Sequence, residues 1–278
     1  MVDYWRYELR PKRRLSAVAF DGPRHGALIR VDGGVADIHP WPELGDAPLD
    51  EQLAMLARGE TTPLTHASLQ FARLDAVARR EGRNLFDDLT IPPNHWPGPD
   101  PPAGFNIVKL KSIDRMPDHV RLRIDFNATL TPDEFVRAAA TLPSERIDFI
   151  EDPCPYDAST WLDLRARTGL RLALDRAVAK EGVDVLIIKP ALQPIPNTEA
   201  EVVVTSYMDH PIGQLCAAYA AARASITTTC GLITHVLYEN DPFIERMRIE
   251  GTRLVPPGGT GWGFDDLLAS LPWRRLEA

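Results

Sequence analysis

From residue 89 onward the chain repeats one texture eight times: a short apolar run that ends in a polar or charged residue. The runs lie at 90–95, 106–111, 120–125, 147–151, 170–175, 185–189, 202–205 and 226–230. Runs this short do not make helices, and strands that are apolar without strict alternation are buried on both faces, as in parallel sheets. Eight of them, most followed by helix-start residues, predict an α/β fold whose strands close into a parallel barrel. Periodicity alone leaves a doubly wound α/β sheet as the alternative.

Three intervening helices are readable. Thr131 and Glu134 form a capping box with Pro132 at the first helical position. A second helix runs over 159–168 and stops at Gly169, and a third, rich in Ala, over 211–223. Other connections are too short. Eight residues separate Lys111 from Val120, and ten, four of them Pro, separate His95 from Asn106. A helical crossover needs about a dozen, whereas an extended chain advances about 3.3 Å per residue and spans a strand without one. The expectation is a (β/α)7β barrel with some outer helices shortened or missing. The 25 prolines among 278 residues, nearly twice the usual share of about 5%, suit stiff linkers of this kind.

Residues 1–88 read differently. Alternating runs at 4–9 and 27–31 meet a turn signal at Asp32-Gly33-Gly34, which predicts a hairpin. Helical patterns follow at 49–57 and 65–80, with Gly82 beyond the second. This is a small α+β unit ahead of the barrel.

The formal net charge is −8, with no long block of Lys or Arg. That argues against nucleic acid or an anionic membrane as the partner and favours a small molecule. Nowhere do 18 apolar residues run together, so no membrane span is predicted. The charged N-terminal residues lack the apolar centre of a signal peptide. Cys154, Cys216 and Cys230 have no ligand spacing and read as buried apolar residues in a reducing compartment. A cytoplasmic protein, monomeric or a small homo-oligomer, is expected. His25, His39, His66, His95, His119, His210 and His235 show no paired ligand spacing and read as surface or satisfied core. The Gly-rich stretch 256–263 lacks the Lys-Ser/Thr of a phosphate loop.

In a barrel of this type the C-terminal strand ends converge on one face. That gathers Lys109, Lys111, Asp125, Glu151, Asp175 and Lys189 in one mouth. Three carboxylates from successive strands suit a hard divalent cation, and without one they repel each other. Taken singly, each could instead cap a helix or pair with an arginine. Lys109 and Lys111 alternate on one strand and so share a face, although a solvated edge strand is the plainer reading of that pair alone. Lys189 ends the apolar run Val-Leu-Ile-Ile, which favours burial and function. Neighbouring ammoniums lower one another's pKa toward the range of a general base.

The strings Lys109-Leu-Lys111, Arg123-Ile-Asp125-Phe-Asn127, Phe149-Ile-Glu151-Asp-Pro-Cys, Leu172-Ala-Leu-Asp175 and Ile187-Ile-Lys189-Pro resemble the strand-end motifs of the enolase superfamily. Within it they most resemble the o-succinylbenzoate synthases of menaquinone biosynthesis, over about residues 89–213 and more weakly beyond. The resemblance implies a modified TIM-like barrel at 89–239. It also implies a capping domain made of residues 1–88 and a C-terminal return of about 240–278. Asp125, Glu151 and Asp175 would hold Mg²⁺, with Mn²⁺ as the alternative, and Arg123 and Asn127 would support Asp125 or the substrate. Lys111 would take the proton α to a substrate carboxylate and then assist loss of a hydroxyl as water. Lys189 would stabilise the enediolate or stack its cation on the ring, and Lys109 would tune Lys111 and contact the carboxylate. The implied reaction is syn-dehydration of 2-succinyl-6-hydroxy-2,4-cyclohexadiene-1-carboxylate to o-succinylbenzoate.

The stretch Thr205-Ser206-Tyr-Met-Asp209-His-Pro-Ile-Gly213 resembles the family's segment that receives the succinyl end, with Asp209 where Glu is usual and Tyr207 replacing a small residue. A plain helix N-cap is the alternative. Gly231-Leu232 resembles the step after the eighth strand in the synthases, which makes Gly231 a substrate-binding candidate beside Thr205, Ser206 and Asp209. The lack of Asp-x-Asp at that point weighs against dipeptide epimerisation. N-acylamino acid racemisation, muconate lactonisation, dipeptide epimerisation and a non-catalytic ligand-binding role stay open. Residues 16–24 are the expected lid loop, with an ordinary hairpin connection as the alternative.

Overall fold

The computed structural model describes residues 1–15, 18–175 and 181–277. Its N-terminal runs form β1 (Val2–Leu9), β2 (Arg24–Val31) and β3 (Gly34–Ile38), each antiparallel to the next. Asp32 and Gly33 both have positive φ, 53° and 88°, the pattern of a type I′ turn, whose twist matches that of the strands it joins. Next come α1 (Leu49–Ala57) and α2 (Pro63–Arg80). Thr62 caps α2 in a reciprocal box with Thr65, and Pro63 takes the first helical position, where an N–H has no intrahelical partner to lose. The helix lies so close to β3 that a Cβ on Gly34 would overlap the Ala72 carbonyl oxygen and the Ala76 amide.

β4 (Ile107–Leu110), β5 (Arg121–Asp125), β6 (Ile147–Glu151), β7 (Leu172–Asp175), β8 (Val185–Ile188) and β9 (Glu201–Val204) make one parallel sheet in chain order. Isolated parallel bridges continue it into a ring: Trp96 with Val108, Asn94 with Cys230, and Thr205 with Gly231. All eight apolar runs therefore contribute to a closed barrel, the first and eighth through single bridges. α3 (Pro132–Ala139), α4 (Ala158–Thr168) and α5 (Pro211–Arg223) cover it after β5, β6 and β9. The Thr131–Glu134 box starts α3, and Gly169, at φ 66°, ends α4. Among the described residues no helix occurs in 97–106, 111–120 or 189–200. In the first of these bare connections Trp96 packs edge-on to Phe105, with ring centroids 5.3 Å apart. Trp96 also lies on the outer apolar cluster that contains Val108 and Leu110, supplying cover that a crossover helix usually gives.

β10 (Arg248–Glu250) and β11 (Arg253–Val255) form a short hairpin, followed by α6 (Asp265–Ser270) and β12 (Arg274–Arg275). β12 pairs with the free edge of β1, so the sheet order is β12-β1-β2-β3. Buried Asp75 on α2 pins this return: it accepts from Val35 N at 2.7 Å, Trp262 N at 2.8 Å and Arg79 Nε at 2.6 Å. One apolar core joins sheet and barrel, with Leu28, Ile38 and Trp41 in the same buried cluster as Leu186, Ile188, Val204 and Ile212. The Trp41 indole N–H donates to the Tyr207 carbonyl at 2.8 Å and ties the N-terminal region to the barrel mouth. No helix of the described residues is long and apolar enough to cross a membrane.

Candidate active site

Inside the ring, Phe149, Ala173, Val185, Ile187 and Val203 pack as a cluster of their own. Residues two apart on a strand share a face. The next inward side chains therefore stand above this plug: Glu151 over Phe149, Asp175 over Ala173, Lys189 over Ile187, and Thr205 over Val203. Lys109 from β4, Lys111 just past its end and Asp125 from β5 meet them. These residues line one cavity of about 640 Å³ at the C-terminal strand ends, the face on which parallel barrels carry their chemistry. Arg13, Leu15, Glu43 and Leu44 enclose it from the N-terminal region. Of the expected lid loop, residues 16 and 17 lie outside the described residues, while Val18 reaches the cavity.

The charges interleave. Lys109 Nζ donates to both oxygens of Glu151 at 2.7 Å and stands 3.1 Å from Asp125 Oδ2. Lys111 Nζ is 3.6 Å from that same oxygen, and Lys189 forms an ion pair with Asp175. Asp125 Oδ1 accepts from the backbone N of Asn127 at 2.9 Å and from its Nδ2 at 2.7 Å. Asn127 reaches back in this way because its φ is 53°, a left-handed conformation that Asn tolerates. Beside them Asp152, also at positive φ, accepts from Asp175 N at 3.1 Å.

These contacts separate the titrating groups. Burial opposes the charge on Lys109, but Asp125, Glu151 and Asp175 outweigh it and hold the ammonium well above its ordinary pKa. Burial lowers Lys111, Lys109 and Lys189 lower it further, and Asp125 offsets only part. Burial raises Asp125 too, yet Lys109 and Lys111 bring it down to about 2. Glu151 is pushed up to about 7 by burial and by Asp125, with Lys109 opposing. Burial and the neighbouring Asp175 and Glu151 push Asp152 well above the carboxylate range.

Among the described residues no three His, Cys, Asp or Glu side chains stand close enough to enclose a metal ion as they are now arranged. Lys109 lies between Glu151 and Asp125, and Lys189 holds Asp175. The donor chemistry nevertheless fits a hard divalent cation: three carboxylates come from adjacent strands, and burial followed by repulsion from Asp125 raises Glu151, a cost that a bound cation would relieve.

Other sequence candidates are placed unequally. Thr205, Ser206, Gly231 and Asn127 line the cavity, whereas Arg123 and Asp209 do not. Arg123 lies a layer deeper, and Asp209 is buried at the start of α5. The amides at that helix end are already engaged, since His210 N donates to Asp37 Oδ2 at 3.1 Å and Ile212 N to His210 Nδ1 at 3.2 Å. Residues that motif reading passed over also line the cavity, among them His95, Asp152, Met208 and Thr234. For His95 the signal was available, because it closes the first apolar run just as Lys111, Asp125, Glu151, Asp175 and Lys189 close theirs.

A family model for the N-terminal domain of o-succinylbenzoate synthase matches residues 2–78. The o-succinylbenzoate synthase of Bdellovibrio bacteriovorus is 33% identical over 327 residues, covering 99% of this chain and 98% of that protein. The chain belongs to the o-succinylbenzoate synthase family. It is thus an enzyme, of the hydro-lyase class to which that family belongs. Its fold is that of the enolase superfamily. A mandelate racemase/muconate lactonizing protein from Herpetosiphon aurantiacus superposes with a TM-score of 0.76 at 14% identity, over 95% of this chain and 97% of that one. A dipeptide epimerase from Enterococcus faecalis V583, solved with Mg and the dipeptide L-Leu-L-Tyr, gives a TM-score of 0.73 at 16% identity, over 93% and 97%.

Proposed function

We propose that the chain catalyses Mg²⁺-dependent syn-dehydration of 2-succinyl-6-hydroxy-2,4-cyclohexadiene-1-carboxylate to o-succinylbenzoate in menaquinone biosynthesis. The observation that carries this reading is the meeting of Lys109, Lys111, Asp125, Glu151, Asp175 and Lys189 on one cavity in a member of this family. Asp125, Glu151 and Asp175 would hold the ion, with Asn127 keeping Asp125 turned inward. When bound, the ion supplies positive charge against the substrate carboxylate as the α-proton is lost.

Lys111, its pKa pulled down by burial and by two neighbouring ammoniums, is the base. It takes the α-proton and returns a proton to the departing hydroxyl on the same ring face. One C–H and one C–O bond break, one ring double bond forms, and water leaves. Lys109, tied to Glu151 and Asp125, stays charged, does not compete as a base and depresses Lys111. Lys189 presents its ammonium to the negative charge that develops across the site.

Residues 1–88 with about 240–278 would act as the cap and 89–239 as the catalytic barrel. The enzyme would work in the cytoplasm, as a monomer or small homo-oligomer, in keeping with three buried free cysteines. The test is incubation of purified protein with the cyclohexadiene carboxylate and Mg²⁺, following o-succinylbenzoate by chromatography. Product should form, and should vanish with Lys111→Ala or excess chelator. Equal formation under either condition overturns the mechanism, and turnover of an N-acyl amino acid or dipeptide alone overturns the substrate.

A further inference from the structure

Below the charged ring a second buried polar chain runs from Asp148 through Arg123 to His95. Leu122 pairs with Ile147 but Arg123 with Phe149, so the register of β5 against β6 skips Asp148. A bulge of this kind re-aims a side chain. Asp148 Oδ2 accepts from Arg123 Nε at 2.8 Å, and Oδ1 accepts from Arg121 at 2.6 Å. Arg123, 2% exposed, lies 4.6 Å from the centre of the Phe149 ring. Its Nη1 reaches the Thr229 carbonyl at 2.8 Å and His95 Nδ1 at 3.1 Å.

A guanidinium only donates, so His95 Nδ1 is the acceptor of that last contact. A neutral imidazole bonded in this way carries its hydrogen on Nε2. The ring is held neutral by burial, reinforced by Arg123 and Lys109. Among the described residues Nε2 has no hydrogen-bond partner, and His95 lines the cavity.

The ring order locates this donor. Asp125, Glu151 and Asp175 occupy the third to fifth members of the barrel. His95 lies at the first, Gly231 at the eighth and Thr205 at the seventh, on the arc facing the carboxylates. A Cβ on Gly231 would stand 2.8 Å from His95 Cε1, 3.0 Å from Nε2 and 3.0 Å from Thr205 Cγ2. The missing side chain thus leaves room beside Nε2. Thr205 Oγ1, on the same arc, is buried and unpartnered among the described residues.

We propose that His95 is a substrate-binding residue whose Nε2–H donates to an oxygen of the succinyl arm, the end of the substrate remote from the carboxylate cluster. Arg123 and Asp148 are positioning residues that fix the donating tautomer. The assignment of the arm rests on the dehydration reading above.

Two measurements test it. In steady-state dehydration His95→Leu should raise KM about tenfold or more, the effect of one lost hydrogen bond to a charged or polarised oxygen, with kcat within about threefold of wild type. His95→Gln, which can accept from Arg123 and still donate into the cavity, should return KM to within about threefold. An unchanged KM in His95→Leu, or equal loss in both variants, overturns the proposal. In wild-type protein labelled with ¹⁵N-histidine, the His95 signals should show Nε2 protonated and Nδ1 bare, and added o-succinylbenzoate should shift Nε2. A proton on Nδ1, or no response to o-succinylbenzoate, overturns it even if His95→Leu does not fold. Absence of dehydration by wild type while Nε2 still responds to o-succinylbenzoate overturns the functional reading and leaves the donor standing.

Discussion

Lys109 Nζ stands 2.7 Å from each carboxylate oxygen of Glu151, so the counter-ion of the most buried acid in the mouth comes from two strands away. Without that ammonium, Glu151 would sit between Asp125 and Asp175 with only Lys189, already paired with Asp175, to offset its charge. In chelator, Lys109→Ala should lose about 3–5 kcal/mol of stability, the usual result of orphaning a buried charge. Millimolar Mg²⁺ should restore part of the loss, because a ligand that binds only the folded state stabilises it. Urea unfolding with EDTA and with Mg²⁺ checks both statements. Equal stability of variant and wild type in EDTA would remove Lys109 from this role.

Lys111 differs in having one long contact, 3.6 Å to Asp125, and a side chain 28% exposed. Its removal should therefore barely change the melting temperature. Turnover should fall by about 10²–10⁴, the range of a general acid–base group. A Lys111→Ala variant that lost stability and rate together would mark the lysine as structural.

Much of this arrangement was legible in the sequence. A two-residue period places Lys109 and Lys111 on one face, and a run that ends in Asp or Glu places that acid at a strand end. Helix boundaries followed from local chemistry, Pro132 in a capping box and Gly169 at a stop. Depth and long-range pairing were not legible. Nothing local shows that β5 and β6 slip past Asp148, which settles Arg123 into the barrel wall and away from the cavity. Nor does the Ser-rich segment reveal that Asp37, far earlier in the chain, accepts from His210 N and occupies the start of α5. A bulge and a contact across 173 positions depend on packing of distant segments, which a periodic pattern does not encode.

Asp75 makes a separate claim about how the C-terminal residues are held. Its carboxylate serves two backbone amides, Val35 N and Trp262 N, and Arg79. A Cβ on Gly261, which has φ 58°, would overlap it. Asp75→Ala strands the two amides and removes one of the two carboxylates that pair with Arg79, Asp265 being the other, so a loss of about 3–5 kcal/mol is expected. Asp75→Asn keeps one acceptor and should lose roughly half as much. Urea unfolding of the two variants reads the difference; equal losses would contradict a role carried by the acceptor oxygens.

Asp209 predicts a pH dependence. Burial pushes its pKa up to about 7, while backbone N–H groups, including that of Tyr207, pull only weakly the other way. Asp37 adds to the crowding: a Cβ on Gly213 would stand 2.6 Å from Asp209 Oδ2 and 2.7 Å from Asp37 Oδ2. Tyr7, His39, His210 and Tyr238 lie in the same buried group. An acid whose pKa is higher folded than unfolded binds more protons in the folded state between those two values. Its contribution is fully present below about pH 4 and is lost as the pH rises through about 7. The buried histidines act in the opposite sense. His39 is lowered to about 3 and His235 to about 4, each chiefly by burial, and these groups withdraw stability as the pH falls. The raw curve of the wild type therefore mixes two signs, and the difference from Asp209→Asn reports the carboxylate contribution, that of Asp209 together with its effect on Asp37, whose pKa burial and the Asp209 charge raise. Wild type minus variant should become more favourable by roughly 2–4 kcal/mol from pH 7 to pH 4. Urea unfolding at half-unit intervals measures it, and a flat or inverted difference would place the proton elsewhere in the cluster.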